Sequence, residues 1–234
     1  MRKTSLIPVL NSISNAEITA LTNGEKLLKF TNIFDDETLR LFHQARYILE
    51  PSIVPGQEHR ARVGFDLNKG LDIDGFVFDA EDYEVIKQSI ALKLGIDYNY
   101  IGVTLWEDTE GYSIPKHVDN SSFNAAMQIY LPTFDQDMNI ASYNALPNTG
   151  TIFYDGIQEY QIPFIPNTGY FCTNSQSITH SSGDPVKAGH IRRSLYIYFK
   201  HDWGKFTISD SSKDDESSWI FKRIYYKRCS IYAI

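Results

Sequence analysis

The chain has 234 residues, with 22 Lys and Arg against 29 Asp and Glu, for a formal net charge of −7. That balance excludes a general nucleic-acid binder, whose affinity rests on neutralising phosphates, and the length suits one sizeable domain. The 15 Tyr, 14 Phe and 3 Trp favour strands, and no apolar run approaches the roughly 20 residues that span a bilayer.

In chain order, Leu27-Leu28-Lys29-Phe30 reads as a first strand. Asp35-Asp36-Glu37 opens a helix with an acidic first turn suited to the macrodipole. Leu39, Phe42, Ala45 and Ile48 continue it to about Leu49, where Pro51 stops it. Arg60–Leu67 reads as a strand leading into the Asn68-Lys69-Gly70 turn. A second helix is expected from Ala80 to Leu94, with Tyr83, Ile86, Ile90 and Leu94 on one face and Gly95 as its C-cap. After Gly95 the pattern changes to eight short strands: Tyr98–Glu107, Ser113–Val118, Asn124–Leu131, Gly150–Tyr154, Gln158–Ile165, Thr168–Thr173, Ile178–His180 and Arg192–Phe199. Pro132, Pro147-Asn148-Thr149-Gly150, Asp155-Gly156 and Pro166-Asn167-Thr168-Gly169 punctuate them.

Strands at this spacing predict a mainly β fold, a double-stranded β-helix or jelly roll, with the N-terminal helices on the outside of one sheet. The expected organisation is N-terminal strands and helices over 1–97, the β core over 98–207 and a C-terminal extension over 208–234, in one domain. Within that extension Ser209–Ser218 reads as a polar loop, and Trp219–Tyr226 as a docked terminal helix or edge strand in preference to a partner-binding tail. Cys172 and Cys229 are too few for a disulfide framework and point to a reducing, cytoplasmic setting. The apolar run Leu6-Ile7-Pro8-Val9-Leu10 is too short, and broken by proline, for a secretory segment.

His117-Val118-Asp119 is the motif that carries chemistry. In a strand, both side chains of a His-x-Asp pair share a face because side-chain direction alternates. With 6 His and 29 acidic residues, chance supplies about 0.7 such pairs per chain, so the surroundings decide its meaning. Here His180 follows on a later strand and Arg192 opens the last one, with Ser194, Tyr196 and Tyr198 on the same face. Two imidazoles and a carboxylate can hold one face of a metal and leave the other positions open. An inward-facing arginine needs an anion.

In this arrangement the chain resembles the iron(II)/2-oxoglutarate-dependent dioxygenases, and within them the prolyl-hydroxylase-like branch. The resembling residues are Gly111–Asn120, Gln128-Ile129-Tyr130-Leu131-Pro132, Thr179-His180 and Arg192–Phe199, within roughly residues 98–200. The resemblance implies iron(II) held by His117, Asp119 and His180, with 2-oxoglutarate and O2 as cosubstrates. It implies Arg192 and Tyr130 on the distal carboxylate of 2-oxoglutarate. Arg193 is the rival for Arg192, since adjacent residues face opposite sides and a register slip of one would exchange them. A carboxylate ligand at Asp119 argues for hydroxylation over halogenation, because halogenating relatives carry a small residue there.

The substrate implied is a small polar or amino-acid-like molecule, or a peptidyl residue. Arg60, Arg62 and Trp106 are its candidate contacts, although a solvent-facing arginine pair and a core-packed Trp106 are the plainer readings. Asn120, Asn124 and Gln128 could also reach ligand, whereas His43, His59, His190 and His201 read as ordinary histidines. Neither a Gly-x-Ser-x-Gly elbow nor a Gly-rich phosphate loop is present. Two other classes remain open at this point: a jelly-roll binding module without catalysis, and a cupin-type metalloenzyme that uses no 2-oxoglutarate.

Overall fold

The computed structural model describes residues 13, 15–44, 49–52, 57–63, 88, 90–96, 98, 100–119, 124–134, 136–137, 139–141 and 145–200. Its strands are β1 (Glu17–Ala20), β2 (Lys26–Thr31), β3 (Leu49–Pro51), β4 (Arg60–Val63), β5 (Tyr100–Asp108), β6 (Ala125–Leu131), β7 (Leu146–Asp155), β8 (Gln158–Phe164), β9 (Thr168–Cys172), β10 (His180–Ser182) and β11 (Arg192–Lys200). They form an eight-stranded sheet, β1-β2-β9-β6-β11-β5-β4-β3, and a three-stranded sheet, β10-β7-β8. Every pairing is antiparallel.

The period-2 rule sorts the central strands cleanly. On β6, Met127, Ile129 and Leu131 point to one face of the large sheet and Ala126 and Tyr130 to the other; on β11, Leu195, Ile197 and Phe199 oppose Tyr196 and Tyr198. The first set meets Leu39, Ile90 and Leu94 in an outer core. The second set faces the small sheet, where Phe153, Ile162 and Phe164 complete an inner core. With both faces covered, β6 is buried along its whole length.

Helix α1 (Asp36–Gln44) starts where Asp35 Oδ1 accepts the Thr38 amide at 2.7 Å, an N-cap bond. Leu39 anchors it in the outer core. Residues 90–94 are helical, and Gly95, at φ +69°, closes that helix. The expected position of the helices on the outer face of one sheet is therefore met. Among the described residues no helix is long and apolar enough to cross a membrane.

Three expectations need correction. The first helix does not run to Leu49, because Leu49–Pro51 pairs with β4 as an edge strand, a position where the missing proline N–H costs no ladder bond. Ser113–Val118 is not a strand; it meets the small sheet at the isolated His117–His180 bridge and through Ile114, whose carbonyl accepts the Ser182 amide at 3.1 Å, and no ladder runs between the two contacts because Pro115 cannot donate. Pro147-Asn148-Thr149-Gly150 is not a turn but part of β7, with a register shift between Leu146 and Thr151. A Cβ on Gly150 would lie 1.9 Å from the Ile162 carbonyl oxygen, so glycine is what lets the two strands close at this bulge.

Residues 45–48, 64–87, 120–123 and 201–234 lie outside the described residues. The rest of the first helix, the Asn68-Lys69-Gly70 turn, Tyr83, Ile86, His201, Ser209–Ser218 and Trp219–Tyr226 fall there, as do Asn120 and Cys229. The strands β1 to β4 continue the large sheet at its two edges.

Candidate metal centre and anion pocket

A cavity of about 230 Å³ opens between the two sheets. Trp106, Gln128, Tyr170, Arg192 and Tyr196 line it from the large sheet, Thr151 and His180 from the small one, and His117 and Asp119 from the connecting loop.

His117, Asp119 and His180 each offer one ligand atom to this cavity, and the three atoms lie within 4.8 Å of one another. The bridge between His117 and His180 sets their spacing: each backbone N–H donates to the other's carbonyl, at 2.9 and 2.8 Å. Their rings stand 4.3 Å apart between centroids. His117 Nδ1 faces the Pro115 carbonyl at 2.9 Å, and His180 Nδ1 faces the Ile178 carbonyl at 3.0 Å. A carbonyl oxygen only accepts, so both Nδ1 atoms carry the proton and both Nε2 lone pairs remain for a metal. Asp119 Oδ1 lies 3.6 Å from His180 Nε2, while Asp119 Oδ2 accepts the Tyr196 hydroxyl at 3.2 Å.

Electrostatics keep His117 and Tyr196 in the protonation states a cation site needs. Burial, then the neighbouring His180, holds the His117 imidazole below its ordinary value, which favours the neutral ligand form. Burial, then the Asp119 charge, pushes the Tyr196 phenol well above its ordinary value, so it remains a donor to Asp119. Two histidines and one carboxylate, with room beyond them, fit a six-coordinate divalent iron site.

Arg192 closes the other end. It is buried at 3% exposure, and its Nε makes no hydrogen bond. Asp108 Oδ2 is 3.8 Å from that Nε, too far for a hydrogen bond. The rings of Tyr112, Tyr130 and Phe164 surround the guanidinium at 5.7, 5.8 and 5.8 Å. An orphaned guanidinium nitrogen in an aromatic cage that opens on a cavity fits an anion. Arg193 faces away, with its guanidinium 2.7 Å from Glu107.

The remaining expected residues are distributed unevenly. Tyr130 is fully buried beside Arg192, with its hydroxyl on Thr151 Oγ1 at 2.8 Å and on the Thr151 amide at 3.0 Å. Trp106 lines the cavity rather than packing away from it; it stacks on Tyr196 at 4.2 Å, and its buried Nε1 has no partner. Arg60 does not face solvent: it is 3% exposed and binds Asp108 through Nε at 2.6 Å and Nη2 at 3.1 Å. The large sheet forces this by putting Asp108 opposite Arg60. Arg62 pairs with Trp106 through the backbone, and its side chain lies outside the description. His59 is exposed and His190 half-buried, both away from the cavity lining.

Gln128, one of the residues expected within reach of ligand, lines the cavity, whereas Thr151 and Tyr170 escaped sequence reasoning. Gln128 accepts Tyr170 at 3.1 Å and donates to Ser194 at 2.9 Å, which builds a polar floor. Asp108 carried no signal beyond its place at a strand end. The Asp119–Tyr196 bond could have been anticipated only from the alternation that puts Tyr196 on the Arg192 face.

No protein-family model matches the chain, and no curated protein sequence does. Solved structures do. A Pseudomonas putida prolyl-4-hydroxylase is 12% identical, with 84% of this chain and 99% of that one covered at a TM-score of 0.54. A prolyl hydroxylase from Trichoplax adhaerens, in complex with a hypoxia-inducible factor peptide fragment, is 13% identical over 83% and 88% of the two chains, at 0.49. A Burkholderia pseudomallei oxidoreductase of the 2OG-Fe(II) oxygenase family is 14% identical over 84% and 77%, at 0.42. At such identities the likeness is one of architecture: the chain has the jelly-roll fold that the Pseudomonas putida prolyl-4-hydroxylase also has.

Proposed function

We propose that this protein is an iron(II)- and 2-oxoglutarate-dependent oxygenase that hydroxylates a C–H bond. The observation that carries the reading is one cavity with a His117–Asp119–His180 donor set and the orphaned Nε of Arg192. When bound, iron(II) and 2-oxoglutarate supply the oxidising chemistry: O2 is consumed, the cosubstrate leaves as succinate and CO2, and a substrate C–H becomes C–OH. The chain's own part is to bind and orient. His117 and His180 present lone pairs already directed by their Nδ1 bonds, and Asp119 brings one negative charge, aimed by Tyr196. Arg192 takes the distal carboxylate in an aromatic cage that excludes water, with Tyr130 holding Thr151 at its side.

The substrate is a small polar or amino-acid-like molecule or a peptidyl residue. Trp106 Nε1 offers it an unused donor, while Arg60 is committed to Asp108. We read the chain as a cytoplasmic protein with no nucleic-acid partner, on its net charge of −7 and its two cysteines. Residues 98–207 form the catalytic core in this reading, with 1–97 and 208–234 as flanking parts of the same domain.

Anaerobic addition of iron(II) and 2-oxoglutarate should give a weak visible charge-transfer band, and a non-catalytic binding module would give none. His117→Ala or Asp119→Ala should lose iron binding and substrate-independent succinate release together. Arg192→Ala should keep iron and weaken 2-oxoglutarate binding by roughly 2–4 kcal/mol, as expected for a lost charge-assisted pair. Unchanged 2-oxoglutarate affinity in that variant would sink the Arg192 assignment, and intact activity would point instead to a cupin-type enzyme without 2-oxoglutarate.

A further inference from the structure

One rung of the large sheet carries three charges. Arg60 on β4, Asp108 on β5 and Arg192 on β11 lie opposite one another across three adjacent strands. All three are buried, at 3%, 0% and 3% exposure. The two guanidiniums compete for one carboxylate and do not share it equally. Arg60 holds Asp108 Oδ1 at 2.6 Å and Oδ2 at 3.1 Å, whereas Arg192 Nε stays 3.8 Å from Oδ2 with no hydrogen bond. Arg60 is itself clamped between two rings, its Cζ 3.8 Å from the centre of Trp106 and 4.3 Å from that of Tyr112.

We propose that Arg60 is a positioning residue for the anion pocket: by occupying Asp108, it keeps Arg192 free to bind a carboxylate. A buried carboxylate keeps a partner or pays heavily for losing it. With Arg60 removed, the nearest cation among the described residues is Arg192, which needs to close less than 1 Å to hydrogen-bond Asp108. That capture would neutralise the pocket. The ligand affinity would then fall by the fraction of molecules in which Arg192 remains free. The rung carries a net charge of +1 in the native chain, none without Arg60, and +1 again without both Arg60 and Asp108.

The proposal builds on the 2-oxoglutarate reading, and the test has one arm independent of it. In the ligand-free crystal structure of Arg60→Met, chosen because Met still fills the space between Trp106 and Tyr112, Arg192 should hydrogen-bond Asp108. In the Mn(II)-loaded protein, titration calorimetry with 2-oxoglutarate should show the dissociation constant of Arg60→Met raised about tenfold or more. The double variant Arg60→Met/Asp108→Asn should return to within about threefold of the parent. Arg60→Gln, which keeps a hydrogen-bonding side chain beside Asp108, is a milder variant and should shift the affinity in the same direction. A loss of affinity that Asp108→Asn does not repair would make Arg60 a ligand contact and overturn the proposal. So would an Arg192 that stays in place in Arg60→Met. If the parent protein binds no 2-oxoglutarate, the cosubstrate reading falls, and the crystallographic arm alone decides whether Arg60 restrains Arg192.

Discussion

The Tyr196 hydroxyl lies 3.2 Å from Asp119 Oδ2, and its ring stacks on Trp106 at 4.2 Å. One hydroxyl therefore decides which oxygen of Asp119 is free to face His180. Removing the oxygen alone keeps the stack and releases the carboxylate. Tyr196→Phe should weaken iron binding about tenfold, the low end for an outer-shell partner of a metal ligand, as read by competition with a chelator. An unchanged iron affinity would mean that Asp119 is aimed by its backbone alone. At this scale the ligand types were legible, because His-x-Asp, a later His and a later Arg are few enough to pick out of 234 residues. The Arg60–Asp108 pair was not legible, since nothing local tells a strand-end aspartate which arginine will arrive opposite it.

Among the elements, β9 shows how little slack the sandwich has. Gly169 is paired with Phe30 on β2 and Ile129 on β6. A Cβ there would come within 2.3 Å of the Gln128 carbonyl oxygen and 2.8 Å of the Phe30 ring. Backbone cannot retreat as a flexible side chain can, so Gly169→Ala must shift a ladder that also carries Gln128 on the cavity floor. Urea unfolding should show a loss of about 3 kcal/mol, the upper end for overpacking. A loss below about 1 kcal/mol would mean that β9 slides freely. Most strands were legible as alternating apolar runs. The exceptions were local conflicts of signal. Pro147–Gly150 spells a turn, yet long-range pairing with β8 draws it into β7, and Ser113–Val118 alternates like a strand, yet Pro115 denies it a ladder.

The whole molecule places His117 between burial and a second imidazole, and this has a consequence for stability. Its folded-state pKa is depressed below the ordinary 6.5, so below about that pH the unfolded chain takes up a proton that the folded chain resists. The contribution is complete above pH 6.5 and is lost as the pH falls through the folded value. The melting temperature of the metal-free protein should therefore fall from pH 7.5 to 5.5, and fall less steeply in His117→Gln. Equal slopes in the two proteins would show that carboxylates alone set the acid limit. The sequence by itself determined the strand-rich class, the outer position of the helices and the donor types, because side-chain alternation and turn chemistry are local. Only the tertiary structure decided that His117 meets His180 across a single bridge, that Arg192 and not Arg193 faces the cavity, and that Arg60 occupies Asp108. Each of these depends on register between strands far apart in sequence, where a slip of one residue would turn every side chain to the other face.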